Sequence, residues 1–321
     1  ILPSLLNAQV STSGLNKNQI FYSVANGEVK KMSLAEWDIA IEPTGDYAIR
    51  INEAAGIRAW VKTDDLRENC DLGLINCKGL QEYVPEIYDT TGMANGTDSW
   101  VEVHNSYTDW KEGAMNQEKR VLSSDLVNYG WGGYKGFTSS PLHAILGYHI
   151  FIVELANGEF KQFFVRKSLS TGFEFAFSNL DGSDVKEHTI HLEDSENKLF
   201  QYVSLRLNIV TNPEPTLDTW DYVITKYPAE KVNGNFEQKI GLLSNPAVPG
   251  TYIADINAIG NGWHNWDNTC QCYKPNSDLT HFSQREGNNL AQITFLESDI
   301  NNHEILFMAN QWNSTELVSA D

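Results

Sequence analysis

Hydrophobic and polar residues alternate over short stretches of the chain, and clusters of Gly, Asn, Asp and Pro separate these stretches. A period of two residues is typical of β-strands, and no long stretch has the 3.6-residue period of an amphipathic helix. In "WDIAI", Trp37, Ile39 and Ile41 fall on one face of a strand. Asp38 and Ala40 fall on the other face, where we expect Asp38 to point outward. The pattern predicts an all-β protein of antiparallel sheets or sandwiches.

Two hairpins are predicted from their turn residues. In "HIFIVELANGEFKQFFV", Asn157-Gly158 suits a two-residue type I′ turn, which needs positive φ at both positions. In "GFEFAFSNLDGSDVKEHTIHL", the turn is predicted at Asp181-Gly182. Phe173, Phe175 and Phe177 alternate along its first arm, which favours a strand that buries one face.

A Trp-Asp phrase occurs twice, as "AEWDIAIEP" at 35–43 and "DTWDYVITKYP" at 218–228. It follows "NQIFYSVANGEV" in one case and "NKLFQYVSLRLNIV" in the other. Gly56 and Gly241 come at similar distances after the two phrases. Further on, "GWGGYKGF" and "GNGWHNW" each precede another apolar strand. Several landmarks in the same order indicate a tandem duplication.

The duplication predicts two domains, in agreement with a length of 321 residues. The first spans residues 15–192 and contains a polar, loop-rich insertion at 62–129. The second, shorter domain spans residues 193–312, and residues 313–321 form a tail.

Composition restricts the functional classes. The formal net charge of −19, with scattered Lys and Arg, argues against nucleic acid as a partner. No stretch approaches the ~18 apolar residues that a transmembrane helix needs. The chain has no GxSxG, P-loop, HExxH or GxGxxG signature, so we expect a protein that is not an enzyme.

The apolar start of the chain, residues 1–8, resembles the remnant of a secretory signal peptide, although a short strand is the alternative. We therefore expect a secreted protein or one at the outer cell surface. Cysteines are compatible with such a compartment, and Cys70 and Cys77 are candidates for a disulfide. Cys270 and Cys272 are too close for an unstrained bridge, so they either pair elsewhere or stay reduced.

The first copy also resembles a known family. The order "FYSVANGEVKKMS", "EWDIAI", "IRIN", "GWGGYKGFTSSP", "HIFIVELANGEFKQFFV" and "GFEFAF" is similar to the HmuY-like haem-binding proteins of Bacteroidetes. The resemblance covers residues 18–178, and the second copy repeats it more loosely over 197–310. It implies an extracellular or surface-bound β protein that holds haem iron with two axial side chains.

The ligands themselves do not carry over directly. Where the family places a ligand histidine, the stretch "FTSSP" has Ser139, and a hydroxyl is a poor axial ligand. The nearby imidazoles are His104 and His143. Relatives that use methionine pairs make Met115 and Met93 further candidates. The alternative is that these are solvated loop residues.

The second copy contains "WHNWDNTCQCYKPNSDLTHF". Residue types that zinc uses occur here, but their spacing matches no standard zinc module; they are His264, Cys270, Cys272 and His281. An aromatic contact surface for glycan or protein is an equally good interpretation, through Trp263, Trp266 and Tyr273. The ordinary alternative is that these tryptophans fill the core.

The sequence thus favours a binding module outside the cell that is not an enzyme. Haem capture by the first domain is the leading specific hypothesis, with another small ligand as a variant of it. The alternative is a structural or adhesive surface protein that contacts glycan or protein through its aromatic loops.

Overall fold

The structure is a computed structural model. It describes residues 8–10, 17–23, 26–62, 88–93, 100–106, 112–117, 127–134, 144–195, 197–230, 236–245, 247, 251–255, 264–267, 272–275, 283–285, 294–295, 304–308 and 315–320. Contacts divide the chain into two compact units. Unit 1 comprises Ile1–Leu34, Tyr107–Trp110 and Pro215–Asp321, and unit 2 comprises Ala35–Ser106 and Lys111–Glu214.

The strands are numbered in chain order. Up to Glu214 they are β1 (Ala8–Val10), β2 (Asn18–Ser23), β3 (Gly27–Ser33), β4 (Ile39–Ile41), β5 (Ile49–Ile51), β6 (Arg58–Lys62), β7 (Trp100–Val103), β8 (Val127–Asn128), β9 (Gly132–Tyr134), β10 (Ile145–Gly147), β11 (Ile150–Glu154), β12 (Phe160–Leu169), β13 (Gly172–Asn179), β14 (Lys186–His191), β15 (Gln201–Ser204) and β16 (Ile209–Thr211). After Glu214 they are β17 (Tyr222–Glu230), β18 (Phe236–Ser244), β19 (Thr251–Asp255), β20 (His264–Asp267), β21 (Cys272–Pro275), β22 (Ser283–Arg285), β23 (Thr294–Phe295), β24 (Glu304–Met308) and β25 (Thr315–Ala320).

The helices of the described residues are short 3-10 turns, at Leu34–Glu36, Glu53–Ala55, Ala114–Asn116 and Leu192–Ser195. Among the described residues, no helix is long and apolar enough to cross a membrane. The all-β prediction is confirmed.

Unit 2 is built on a β-sandwich. Its large sheet has the order β7-β6-β11-β12-β10-β9-β8, and β13 and β14 extend it from β12. Its small sheet has the order β16-β15-β4-β5. One apolar core joins the facing surfaces of the two sheets, with Ile39 and Ile51 from the small sheet and Phe151, Phe163 and Phe175 from the large sheet. These five side chains are fully buried, as the alternating pattern of their strands requires.

The large sheet is buried on its second face as well. Trp60, Ile152 and Phe164 belong to a separate apolar cluster on that side, which Tyr88 and Met93 help to cover. Strands buried on both faces show little polar alternation, and "HIFIV" has this character.

Both predicted hairpins are confirmed, but the turn type is not. In the β11–β12 hairpin, the Leu155 amide donates to the Glu159 carbonyl and the Gly158 amide donates to the Leu155 carbonyl. The loop therefore has three residues, and positive φ occurs at Gly158 but not at Asn157. This is the type I turn followed by a left-handed residue. The prediction of a type I′ turn was wrong because Asn157 uses its side chain to accept from the Glu159 amide.

The β13–β14 hairpin repeats this turn. The Asn179 amide donates to the Ser183 carbonyl, and Gly182 has a positive φ. Asp181 accepts from the Ser183 amide at 2.9 Å, in the same way that Asn157 serves its own turn. An Asn-Gly or Asp-Gly pair thus marks the loop, and in both hairpins the Asn or Asp side chain accepts from the amide two residues ahead.

Asp38 does not point outward. It is 8% exposed, and its Oδ2 accepts from the Leu205 amide at 2.7 Å and the Ser204 hydroxyl at 3.2 Å. The expectation failed because β4 lies inside the small sheet, between β15 and β5, where both faces of the strand are covered. Asp38 anchors the turn of the β15–β16 hairpin.

Unit 1 contains three sheets among its described residues. One has the order β23-β18-β17-β2-β3, another has the order β1-β25-β24-β19-β22, and β20 pairs with β21. The predicted signal remnant lies largely outside the described residues, except that Ala8 belongs to β1, which runs parallel to β25.

The units interleave along the chain. Residues up to Leu34 belong with unit 1, although they precede the first Trp-Asp phrase, and residues up to Glu214 belong with unit 2. The division of the chain into β domains at 15–192 and 193–312 stays a prediction.

Candidate functional site

Of the two histidines proposed as haem ligands, His104 lies within the described residues. It follows β7, and its Nδ1 lies 2.7 Å from Oε1 of Glu53, a residue of the 3-10 turn before β6. The His104 side chain is 17% exposed and that of Glu53 is 6% exposed. We call this pair the Glu53–His104 site. Sequence analysis missed Glu53, because 51 residues separate the partners and no local pattern links them.

The carboxylate of Glu53 is held from two sides. Its second oxygen accepts from the Asn105 amide at 2.9 Å. Burial raises the pKa of the Glu53 carboxyl, while the hydrogen bonds to His104 and Asn105 act in the opposite direction. The imidazole is thereby fixed in orientation through its Nδ1 atom.

Asn105 positions His104 by pairing with the edge of β5. Its side-chain oxygen accepts from the amides of Ile51 at 3.0 Å and Ala114 at 3.1 Å, and its Nδ2 donates to the Ile51 carbonyl at 2.6 Å. An asparagine amide has the same donor and acceptor as a peptide group, so one side chain replaces a neighbouring strand at this position. Buried backbone groups of β5 are satisfied in this way.

Two further side chains extend the same edge. Asn116 accepts from the Ile49 amide at 2.8 Å. Arg50 donates through Nη2 to the Ser106 carbonyl at 2.5 Å and through Nη1 to the Glu112 carbonyl at 3.3 Å. The segment that carries His104 is thus fastened to the small sheet by uncharged amides and one arginine.

Gly113 lets this segment lie close to β5. A Cβ atom at Gly113 would overlap the Ile49 carbonyl group, so a side chain there would push the segment off the sheet. Position 113 in "EGAMN" therefore requires glycine, because the segment and β5 lie too close together for a side chain.

The methionine candidates lie in apolar cores. Met115 has no exposed surface and packs in the core between the two sheets of unit 2. Met93 is 5% exposed and belongs to the cluster on the second face of the large sheet. A sulfur atom enclosed in this way cannot reach a haem at the surface. The interpretation of Met115 and Met93 as loop ligands is not supported, because both side chains pack in apolar clusters of unit 2.

Several predicted site residues lie outside the described residues. They are Cys70, Cys77, Ser139, His143, Trp263, Cys270 and His281. Each of these assignments stays a prediction.

The β20–β21 ladder contains the remaining candidates. Trp266 pairs directly with Tyr273, so the backbone places two of the three proposed aromatic contact residues opposite each other. His264 pairs with Pro275 and Cys272 pairs with Asp267. His264 and Cys272 are therefore at opposite ends of the ladder.

A second buried carboxylate lies at the end of unit 2. Glu214 is 2% exposed and accepts from the Phe200 amide at 2.9 Å, the Leu199 amide at 3.2 Å and the Tyr202 hydroxyl at 3.2 Å. Burial raises its pKa to about 7, although these three hydrogen bonds and the charge of Lys198 oppose the rise. Glu214 stabilises the β15–β16 hairpin, because its hydrogen bonds connect the segment after β16 to the start of β15.

The chemistry of these groups is limited. Among the described residues, no three His, Cys, Asp or Glu side chains are grouped so that they could hold a metal ion. The Glu53–His104 site offers a single oriented imidazole. Searches against family models, curated proteins and solved structures found no match for this chain. The similarity to HmuY-like proteins accordingly rests on the sequence motifs alone.

Proposed function

We propose that the protein is a binding protein without catalytic activity that captures haem, and that His104 supplies one axial ligand. The observation that carries the proposal is the 2.7 Å contact between His104 Nδ1 and the buried carboxylate of Glu53. Metal-ligating histidines commonly donate their second ring N–H to a carboxylate, which fixes the ring and makes the other nitrogen more basic. In this arrangement Nε2 is the atom that would bind iron.

Haem iron and a bare metal ion need different numbers of protein ligands. A structural zinc site takes four protein ligands and a catalytic one takes three. The described residues provide no such group. A porphyrin already supplies four nitrogens, so one or two axial side chains complete the coordination of its iron. A single oriented imidazole suits that requirement.

We propose His143 as the second axial ligand of the haem iron. It follows Ser139 in the sequence between β9 and β10, outside the described residues. Met115 is set aside because it is buried in the core. The net charge of −19 does not favour the haem propionates. We therefore expect the affinity to come from iron coordination and apolar contact.

Titration of the protein with hemin, followed by the Soret band, tests the proposal. We expect a saturable shift, and about a tenfold or greater loss of affinity for His104→Ala. Glu53→Gln should weaken binding less than His104→Ala does, because it removes an outer-shell partner and keeps the imidazole. His188→Ala is a matched control, because His188 is another histidine of unit 2 and bonds to Asn208 at 2.7 Å.

Two results would contradict the proposal. The first is the absence of any saturable Soret change with the wild-type protein in both oxidation states of the iron. The second is an affinity of His104→Ala equal to that of the wild type and of His188→Ala.

A second candidate function is adhesion through aromatic side chains. It is supported by the register that places Trp266 opposite Tyr273. Large aromatic residues with one polar end are frequent in contact surfaces. Binding to a glycan array that is lost in Trp266→Ala and kept in His104→Ala would favour adhesion over haem capture.

The location outside the cell is also a proposal, supported by the character of residues 1–8. Fractionation of cells that produce the full-length protein would test it. Recovery of the protein only from the cytoplasm would oppose it.

A further inference from the structure

The two Trp-Asp strands have the same partners in their respective units. In unit 2, β4 pairs with β15, so that Ala40 lies opposite Tyr202. In unit 1, β17 pairs with β2, so that Val223 lies opposite Phe21. Both pairings are antiparallel. In each, the third residue after the aspartate lies opposite an equivalent residue of the partner strand: Ile41 pairs with Gln201, and Ile224 pairs with Ile20.

The hydrogen bonds at the head of each strand also agree. The Asp38 amide donates to the Val203 carbonyl at 2.8 Å. The Asp221 amide donates to the Tyr22 carbonyl, also at 2.8 Å. These residues occupy equivalent positions when "FYS" in β2 is aligned with "YVS" in β15.

The aromatic contacts repeat in the same way. Trp37 meets Tyr202 edge-on, with ring centroids 5.1 Å apart and an interplanar angle of 79°. Trp220 meets Phe21 with centroids 5.2 Å apart and an angle of 76°. Edge-to-face geometry of this kind is specific, so its repetition depends on a shared register.

An asparagine closes each arrangement. Asn52 Nδ2 donates to the Trp37 carbonyl at 2.8 Å, and Asn245 Nδ2 donates to the Trp220 carbonyl at 2.7 Å. Each residue also donates its own amide to the carbonyl of the aspartate after the tryptophan. Asn52 therefore corresponds to Asn245. This structural equivalence replaces the match between Gly56 and Gly241 that was inferred from the sequence.

The connections cross between the equivalent elements. The β2–β3 hairpin precedes Trp37 in the chain but pairs with the strand that follows Trp220. The β15–β16 hairpin precedes Trp220 but pairs with the strand that follows Trp37. In both cases the hairpin pairs with a Trp-Asp strand other than the one that comes next to it in the chain. The side-chain pattern and register of each hairpin therefore select its partner strand.

We propose that the β2–β3 hairpin is an exchangeable element, which completes unit 1 of a second copy of this chain through the pairing that it makes within its own chain. The contacts are the same in either case. The balance is therefore set by the protein concentration relative to the effective concentration of the hairpin within its own chain. Exchange of identical elements is a low-cost route to assembly.

The buried face of the hairpin favours a second copy of this chain as the partner. The hairpin buries Ile20, Phe21, Tyr22 and Met32 almost completely. When the hairpin leaves β17, these side chains and the Trp220 ring lose their cover. The β2–β3 hairpin of another copy restores every one of those contacts, including the Phe21–Trp220 geometry. This inference does not depend on haem binding.

Cysteine cross-linking between chains tests the exchange. In a background with the four native cysteines replaced by serine, one variant carries Ile20→Cys and another carries Ile224→Cys, at positions that pair across β2 and β17. The variants are mixed, incubated at high concentration under mildly destabilising conditions, returned to buffer and oxidised. We expect a covalent dimer in the mixture and in neither variant alone at the same yield.

A control pair measures random oxidation. Ile20→Cys is mixed with Leu207→Cys, because Leu207 is 56% exposed and lies outside the β2–β17 ladder. A dimer yield equal to that of the test pair would overturn the proposal. A double variant that carries both Ile20→Cys and Ile224→Cys in one chain gives a further check. If its disulfide forms only within monomers, the proposal is also overturned.

Native mass spectrometry of the unsubstituted protein keeps the test valid if the cysteine variants do not fold. Isotopically light and heavy chains are mixed and given the same treatment. We expect mixed dimers that persist on dilution until the protein is unfolded again. A persistent absence of mixed dimers would overturn the proposal.

Discussion

Glu214 provides a test of how burial and hydrogen bonding compete at one carboxylate. It lies in the described part of unit 2 with almost no exposed surface, and three donors point at its oxygens. Substitution Glu214→Gln removes the ionisable proton and keeps the size of the side chain. The amide nitrogen of glutamine would face the Leu199 amide, so we expect the variant to lose one hydrogen bond at every pH.

The magnitude follows from the pKa of Glu214. Burial raises it from an ordinary 4.5 to about 7. At about 1.4 kcal/mol for each pH unit, this difference corresponds to roughly 3 kcal/mol. The folded-state pKa is above the unfolded value, so the stabilisation is fully present below about pH 4.5 and is lost as the pH rises through about 7. The wild-type free energy of unfolding should therefore fall across this window because of Glu214.

Urea unfolding of both proteins at several pH values between about 4 and 8 measures the effect. Other titrating groups are common to both proteins and cancel in the difference. The wild type should lose roughly 3 kcal/mol relative to Glu214→Gln as the pH rises. Glu159→Gln, at an exposed glutamate of the same unit, controls for the loss of one charge. Parallel profiles for the wild type and Glu214→Gln would refute the reasoning, and a difference of opposite slope would mean that the hydrogen bonds outweigh burial.

Three further substitutions test packing and backbone satisfaction, each by urea unfolding. Gly147→Ala should destabilise by about 2 kcal/mol or more, because its Cβ would overlap the Val165 carbonyl oxygen, whereas Gly133→Ala on the adjacent strand has its nearest neighbour 3.9 Å away and should cost under about 1 kcal/mol; equal losses would contradict the steric argument. Asn105→Ala should cost about 2–4 kcal/mol, because it leaves buried backbone groups of β5 without their partners, and a loss below about 1 kcal/mol would mean that water replaces the amide. Asn52→Ala should cost about 1–3 kcal/mol through the Trp37 carbonyl, and a neutral effect would show that this bond is not needed.

Local features of the fold were predictable because their causes are local. The alternation of Phe173, Phe175 and Phe177 identified a strand, and all three rings are buried in the core. Turn dipeptides located both hairpins. The length of the loops was missed because an Asn or Asp side chain that bonds two residues ahead competes with the type I′ turn, and propensity alone does not reveal which arrangement wins.

Non-local features were not predictable from one sequence. Asp38 was expected at the surface because alternation assigns faces but does not say what covers them, and the cover here comes from Ser204 and Leu205, more than 160 residues later. The sequence repeat showed which segments resemble each other, yet resemblance does not determine which of two equal partners a hairpin takes.

The candidate site shows the same division. His104 was named from its residue type and its place in the variable segment, whereas Glu53 had no signal of its own. Met115 was named because methionine can ligate haem iron, but it lies in the core. A methionine in a polar segment can equally be the apolar residue that packs the segment against a sheet, and here it holds the 3-10 turn at Ala114–Asn116 in place.

The distance along the chain between the β2–β3 hairpin and β17 sets an order of events during synthesis. About 190 residues separate Ser33 from Tyr222, and ribosomes add roughly 5–20 residues per second. The hairpin therefore leaves the ribosome about 10–40 s before the strand that completes it. Unit 2 can close as soon as Glu214 has emerged, whereas Ile20, Phe21 and Tyr22 must wait for later residues. A nascent chain of this protein thus carries the buried side chains of this hairpin, Ile20, Phe21 and Tyr22, uncovered for most of translation.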